Sequence, residues 1–144
     1  MNKVLGAVMI VLALTLAIVP LFTDCQSQGR QLTLQDGRTV PMKCHWTGIA
    51  EIGAAVPLGL VGILSLRKQR KETSRRLAVI GGASGALAIL FATVLIGVCA
   101  NPMMICNMVM LPTLVAAGIL AMVASVVLFV NARETQLPMA GAAA

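Results

Sequence analysis

The chain has 144 residues, 58% of them hydrophobic and only 11% charged, with a mean hydropathy of +0.92 and a formal charge of +6. A water-soluble domain carries about a quarter charged residues, so that class is excluded. The basic excess does not make it a nucleic-acid binder, because six of the eleven cationic residues are gathered in one short segment with no aromatic partners to stack on bases.

A hydrocarbon core of about 30 Å takes roughly 20 helical residues to cross. Four apolar stretches are long enough: 4–22, 49–66, 77–99 and 103–130. The first follows Lys3 as a signal peptide would, but its apolar run exceeds the usual length of roughly 7–15 residues and no small-residue cleavage site follows, so it is expected to remain as a helix. Segment 23–46 comes next, and its pattern changes. Leu32 and Leu34 alternate with polar neighbours, Asp36-Gly37 is a strong turn signal, and Thr39-Val40 resumes the strand before Pro41 stops it. This predicts a small β-hairpin on the membrane surface.

The second stretch carries Ala55, Gly59 and Gly62 on one stripe, with Pro57 interrupting it. Glu51, near its expected start, is the one acid inside an apolar stretch. A carboxylate there either offsets the positive end of the helix dipole or serves as an intramembrane polar site. Six of the eleven basic residues fall in 67–76, and short Lys- and Arg-rich loops stay in the cytoplasm. Lys3 and Arg133 share that side, against Arg30, Arg38 and Lys43 on the other, which predicts both termini inside and an extracytoplasmic hairpin. The basic loop is also suited to anionic lipid headgroups. Gly81 and Gly85 in the third stretch, and Ala117, Ala121 and Ser125 in the fourth, are small residues at the spacing that lets membrane helices approach closely. Asn101 and Pro102 are expected as N-cap and first residue of the fourth helix, with Pro112 interrupting it. Residues 131–144 are expected as a flexible cytoplasmic tail. The expected architecture is therefore an all-α integral membrane protein: one four-helix bundle over 1–130 with a small extracytoplasmic hairpin cap.

Cys25, Cys44, Cys99 and Cys106 all fall on the hairpin side, an oxidising place in most cells. Pairing within each connecting segment, Cys25 with Cys44 and Cys99 with Cys106, closes the shortest loops, the first worth roughly 3 kcal/mol by chain entropy. A thiol-disulfide oxidoreductase is the sharper alternative, although neither spacing is C-x-x-C. A third reading joins Met42, His45, Met103, Met104 and Met110 with Cys44 and Cys106 as soft ligands for Cu(I) or haem. Met103, Cys106 and Met110 would share one helix face. Against this, methionine also fills apolar helices without any ligand role.

Two segments carry a resemblance: Pro41-Met42-Lys43-Cys44-His45-Trp46-Thr47 with Ala50-Glu51 following, and Ile96-Gly97-Val98-Cys99 leading through Met103-Met104 to Ile105-Cys106. The chain resembles an uncharacterised, DUF4418-like family of small bacterial four-helix membrane proteins. That resemblance implies a place beside ABC transporters with permeases of the lipoprotein-release and macrolide-export type. It thus implies a non-enzymatic accessory subunit of the bacterial cytoplasmic membrane, partnered by a permease and its ATPase. Met42, Cys44, His45, Glu51, Cys99, Met104 and Cys106 are motif positions by the same resemblance, with no role attached.

Overall fold

The computed structural model describes residues 2–67 and 70–134. Its elements run α1 (Asn2–Thr23), β1 (Leu32–Thr33), β2 (Thr39–Val40), α2 (Lys43–Leu66), α3 (Lys71–Leu90) and α4 (Leu111–Glu134). A π-helical turn, Phe91–Leu95, extends α3, and a second, Cys106–Met110, leads into α4. Four helical spans are long and apolar enough to cross a membrane: Lys3–Thr23, Lys43–Leu66, Lys71–Leu95 and Cys106–Ala132. The protein is a four-helix membrane bundle. Val4, Val11, Phe22, Val79 and Val94 lie exposed on its flanks, where lipid rather than water would meet them.

Helix boundaries differ from the hydropathy windows in one consistent way. Polar helix-forming residues extend the helices beyond their apolar stretches. α2 starts at Lys43, not at residue 49, with Met42 in extended conformation at its N-cap. α3 starts at Lys71, not at residue 77, with Glu72 in its first turn opposing the dipole. At the other end α3 and its π turn stop at Leu95, so 96–104 forms a loop. Asn101 does not cap a helix at Pro102. Its side chain accepts from the Met103 backbone N–H at 3.0 Å within a turn, and helical structure resumes at Ile105. Asn131–Glu134 continue α4, so the expected tail is helical at its start; from residue 135 onward it lies outside the described residues.

Around the bundle the helices follow in chain order, α1 against α2, α2 against α3, α3 against α4, and α4 back against α1. Two crossings are made backbone to backbone. A Cβ at Gly6 would lie 2.8 Å from the Gly62 carbonyl oxygen, and one at Gly62 would lie 2.9 Å from the Gly6 oxygen. Gly85 and Gly118 repeat the arrangement between α3 and α4, at 2.8 Å in each direction. Gly81 packs against Ser125, whose hydroxyl would lie 2.7 Å from an added Cβ. The small-residue stripes read from the sequence therefore do form the contacts, with Gly6 and Gly118 as additional members.

The hairpin is present as a two-stranded antiparallel ladder, Leu32 opposite Val40 and Thr33 opposite Thr39. Gly37 takes φ +79 in the turn, a conformation that a Cβ would strain. Leu34 N–H donates to Arg38 O at 2.8 Å across it. Both strands are solvent-exposed, so the hairpin adds no core of its own.

Candidate metal centre

The chain order around the bundle brings the α1–α2 connection and the α3–α4 connection to the same end. Each delivers two cysteines. Cys25 follows the last turn of α1, where the chain bends over Asp24: Ser27 N–H donates to Asp24 Oδ1 at 2.7 Å and Ser27 Oγ to Asp24 O at 2.8 Å. Cys44 lies in the first turn of α2. Cys99 sits in the loop after α3, which Gly97 turns at φ +74 and which Thr47 of α2 holds through a hydrogen bond to Gly97 O. Asn107 Nδ2 adds a bond to Cys99 O at 3.3 Å. Cys106 opens the π turn before α4. Both π turns therefore border the segment that carries Cys99 and Cys106, and such turns often mark functional positions.

All four Sγ atoms lie within 4.8 Å of one another. Cys25 Sγ is 3.5 Å from both Cys99 Sγ and Cys106 Sγ, and Cys99 Sγ is 3.6 Å from Cys44 Sγ. Cys25, Cys44 and Cys106 are buried and Cys99 is partly so. The expected local bridges are not what the structure shows, since all four cysteines are free. Short-loop reasoning pairs each cysteine with its sequence neighbour; the bundle instead gathers the four into one group. Thiolates bound to zinc at about 2.3 Å in a tetrahedron stand about 3.8 Å apart, close to the separations found here, whereas a disulfide needs about 2.05 Å.

The surroundings favour thiolate chemistry at some positions and resist it at others. Cys44 lies in the first turn of α2, and Cys106 near the start of the helical run that leads into α4. Cys25 N–H points at Cys44 Sγ at 3.3 Å, the type of backbone bond that supports a metal-bound thiolate. For Cys99, burial works against ionisation, but hydrogen bonds from Cys25, Cys44 and Cys106 outweigh it and lower its pKa. Burial raises that of Cys25, and its bonds to the other three add to the rise.

The methionine and histidine candidates divide. Met42 Sδ lies 4.0 Å from Cys99 Sγ, at the edge of the group. Met103 and Met104 line, with Gln28, Arg30 and Ile105, a cavity of about 140 Å³ that reaches Cys25. Met103 is 81% exposed, whereas Met110, expected on the same face, is fully buried in the core, because a loop and a π turn separate the two. His45 is engaged elsewhere: its Nδ1 is 2.9 Å from Asp24 Oδ2, and its ring meets Trp46 edge to face. Burial alone would raise the Asp24 pKa, but the bonds from His45 and Ser27 hold it below the ordinary carboxylate value. Glu51 is fully buried deeper in α2 and is not part of the sulfur group. What the sequence did not reveal is that the four cysteines come together as one group, with Met42 at its edge and His45 apart from it; neither cysteine spacing matches a zinc motif.

No curated protein and no solved structure is significantly similar to the chain. The family model for DUF4418, a domain of unknown function, matches residues 3–130, and the protein belongs to that family.

Proposed function

We propose that this protein binds one soft metal ion of the zinc(II) class through Cys25, Cys44, Cys99 and Cys106 at the hairpin end of its membrane bundle. The observation that supports the reading is the mutual approach of the four sulfurs, at tetrahedral rather than disulfide spacing. Tetrahedral sulfur ligation is the coordination that zinc and mononuclear iron take, and four ligands with no open position suit a structural or storage site better than a catalytic one. The ion would tie together the ends of all four helices. The protein would also partner a transporter permease and its ATPase, as the family resemblance implies, and a metal site is compatible with that role.

Protein purified in mild detergent under reductant is expected to hold about one ion per chain by elemental analysis. Cobalt(II) loaded into the same protein should give the intense sulfur-to-metal charge-transfer bands of tetrahedral thiolate ligation. Two disulfides by non-reducing peptide mapping of freshly isolated membranes, with no metal taken up by the reduced protein, would replace this reading with the redox one.

By the positive-inside rule the basic loop supports an extracytoplasmic location for this centre, in a bacterial cytoplasmic membrane as the family resemblance implies. A single cysteine at Gly37, in a background with the four native cysteines replaced, should react with an impermeant maleimide on whole cells. One at the exposed Glu72 in the basic loop should react only after lysis. The reverse pattern would turn the protein over.

A further inference from the structure

Two roles were open to Glu51 near the expected start of its helix: offsetting the helix dipole beside the headgroups, or serving as an intramembrane polar site. The structure removes the first. α2 begins at Lys43, so Glu51 lies in its third turn, beyond reach of the free N–H groups. Its side chain is 0% exposed, and neither Oε1 nor Oε2 has a hydrogen-bond partner. It shares a face of α2 with Cys44 and lies about 10 Å further along the helix axis, since seven residues make nearly two turns.

Nor does the sequence supply a counter-ion at that depth. Between Lys3 and Asp24, between His45 and Arg67 apart from Glu51 itself, between Arg76 and Cys99, and between Cys106 and Arg133 there is no Asp, Glu, Lys, Arg or His. An ionised carboxylate left unpaired in such a place costs several kcal/mol or more, whereas the neutral acid loses far less on leaving water. Acids inside membrane bundles recur in proton relays and ion pathways for this reason. We propose that Glu51 is a proton-binding site in the membrane interior, a neutral carboxylic acid at rest whose ligand is the proton rather than a metal or an alkali cation. The proposal is independent of whether the cysteines bind an ion.

A hydrophobic carbodiimide tests it, because such reagents dissolve in lipid and react with protonated carboxylic acids. Dicyclohexylcarbodiimide is added to the full-length protein in liposomes and the adduct is located by peptide mass spectrometry. The expected result is one adduct on Glu51, formed faster at lower pH and unaffected by sodium or potassium at constant pH. A water-soluble carbodiimide should leave Glu51 unmodified while modifying the exposed Asp36. Glu51→Gln should fold and lose the adduct; because the mapping is made on wild type, a variant that fails to fold leaves the result intact. Absence of the adduct on wild type, equal reaction with the water-soluble reagent, or protection by sodium or potassium would overturn the proposal.

Discussion

Serine in place of Cys44 is expected to weaken binding of a zinc-class ion by about 100-fold or more, while the bundle still inserts and folds. Structural zinc sites in small peptides bind with apparent free energies of about 10–16 kcal/mol, so one of four thiolates accounts for roughly 3 kcal/mol, a factor of about 100. Serine keeps the shape but does not ionise. Met42 offers a further sulfur 4.0 Å from Cys99 Sγ, but a neutral thioether is a poor substitute for thiolate toward zinc. The same variant carries a stability consequence, because the four sulfurs sit on connections to four different helices. Ion at about 100 times its dissociation constant should add about 2.7 kcal/mol to the wild type. For a chain of this size that raises the melting temperature by roughly 5–10 °C. Trp46, the one tryptophan and a near neighbour of Cys44, reports the transition. Equal melting of wild type with and without ion, or an equal rise in Cys44→Ser, would remove the centre.

Much of the membrane architecture is legible in the sequence because continuous hydrophobicity over about 20 residues has few other outlets. The hairpin is legible too, since Asp36-Gly37 dictates its turn chemistry locally. The lateral position of a side chain at the membrane surface is not. All four cysteines could be assigned to one side, yet nothing in spacings of 19 and 7 residues says that two connections meet over the bundle axis. That follows from the cyclic order of helices, which is set by contacts such as Gly6 with Gly62 and Gly85 with Gly118 far from any cysteine. Glu51 shows the complementary error. A hydropathy window starting at residue 49 makes it a first-turn residue, and only the polar helical turns from Lys43 onward move it into the interior. The face shared by Met103, Cys106 and Met110 fails for a third reason, because regular helix periodicity does not apply across the loop and the π turn.

Alanine at Gly118 is expected to destabilise the bundle, and alanine at Gly53 is expected not to, although helix propensity favours both substitutions by up to about 1 kcal/mol. The difference lies in what each new methyl group meets. At Gly53 nothing lies within 4 Å of the added Cβ. At Gly118 it would stand 2.6 Å from Ile89 Cγ1 and 2.8 Å from the Gly85 carbonyl oxygen. The isoleucine can rotate away. The carbonyl belongs to the backbone of α3, so relief requires the two helices to separate. The reciprocal approach of Gly85 to the Gly118 oxygen, also 2.8 Å, means that the same separation loosens both halves of the crossing. Overpacking of this kind costs about 1–3 kcal/mol, and membrane helices have no hydrophobic drive between them to restore the contact. The net effect at Gly118 is thus a loss of about 1–2 kcal/mol against a small gain or no change at Gly53. Valine at Gly118, with two further carbons, should lose more than alanine. Unfolding in mixed detergent micelles, followed by Trp46 fluorescence, measures all three variants on one scale. Stabilisation by Gly118→Ala equal to that by Gly53→Ala would show that the helices do not cross at these glycines, and the ring order that gathers the four cysteines would lose its support.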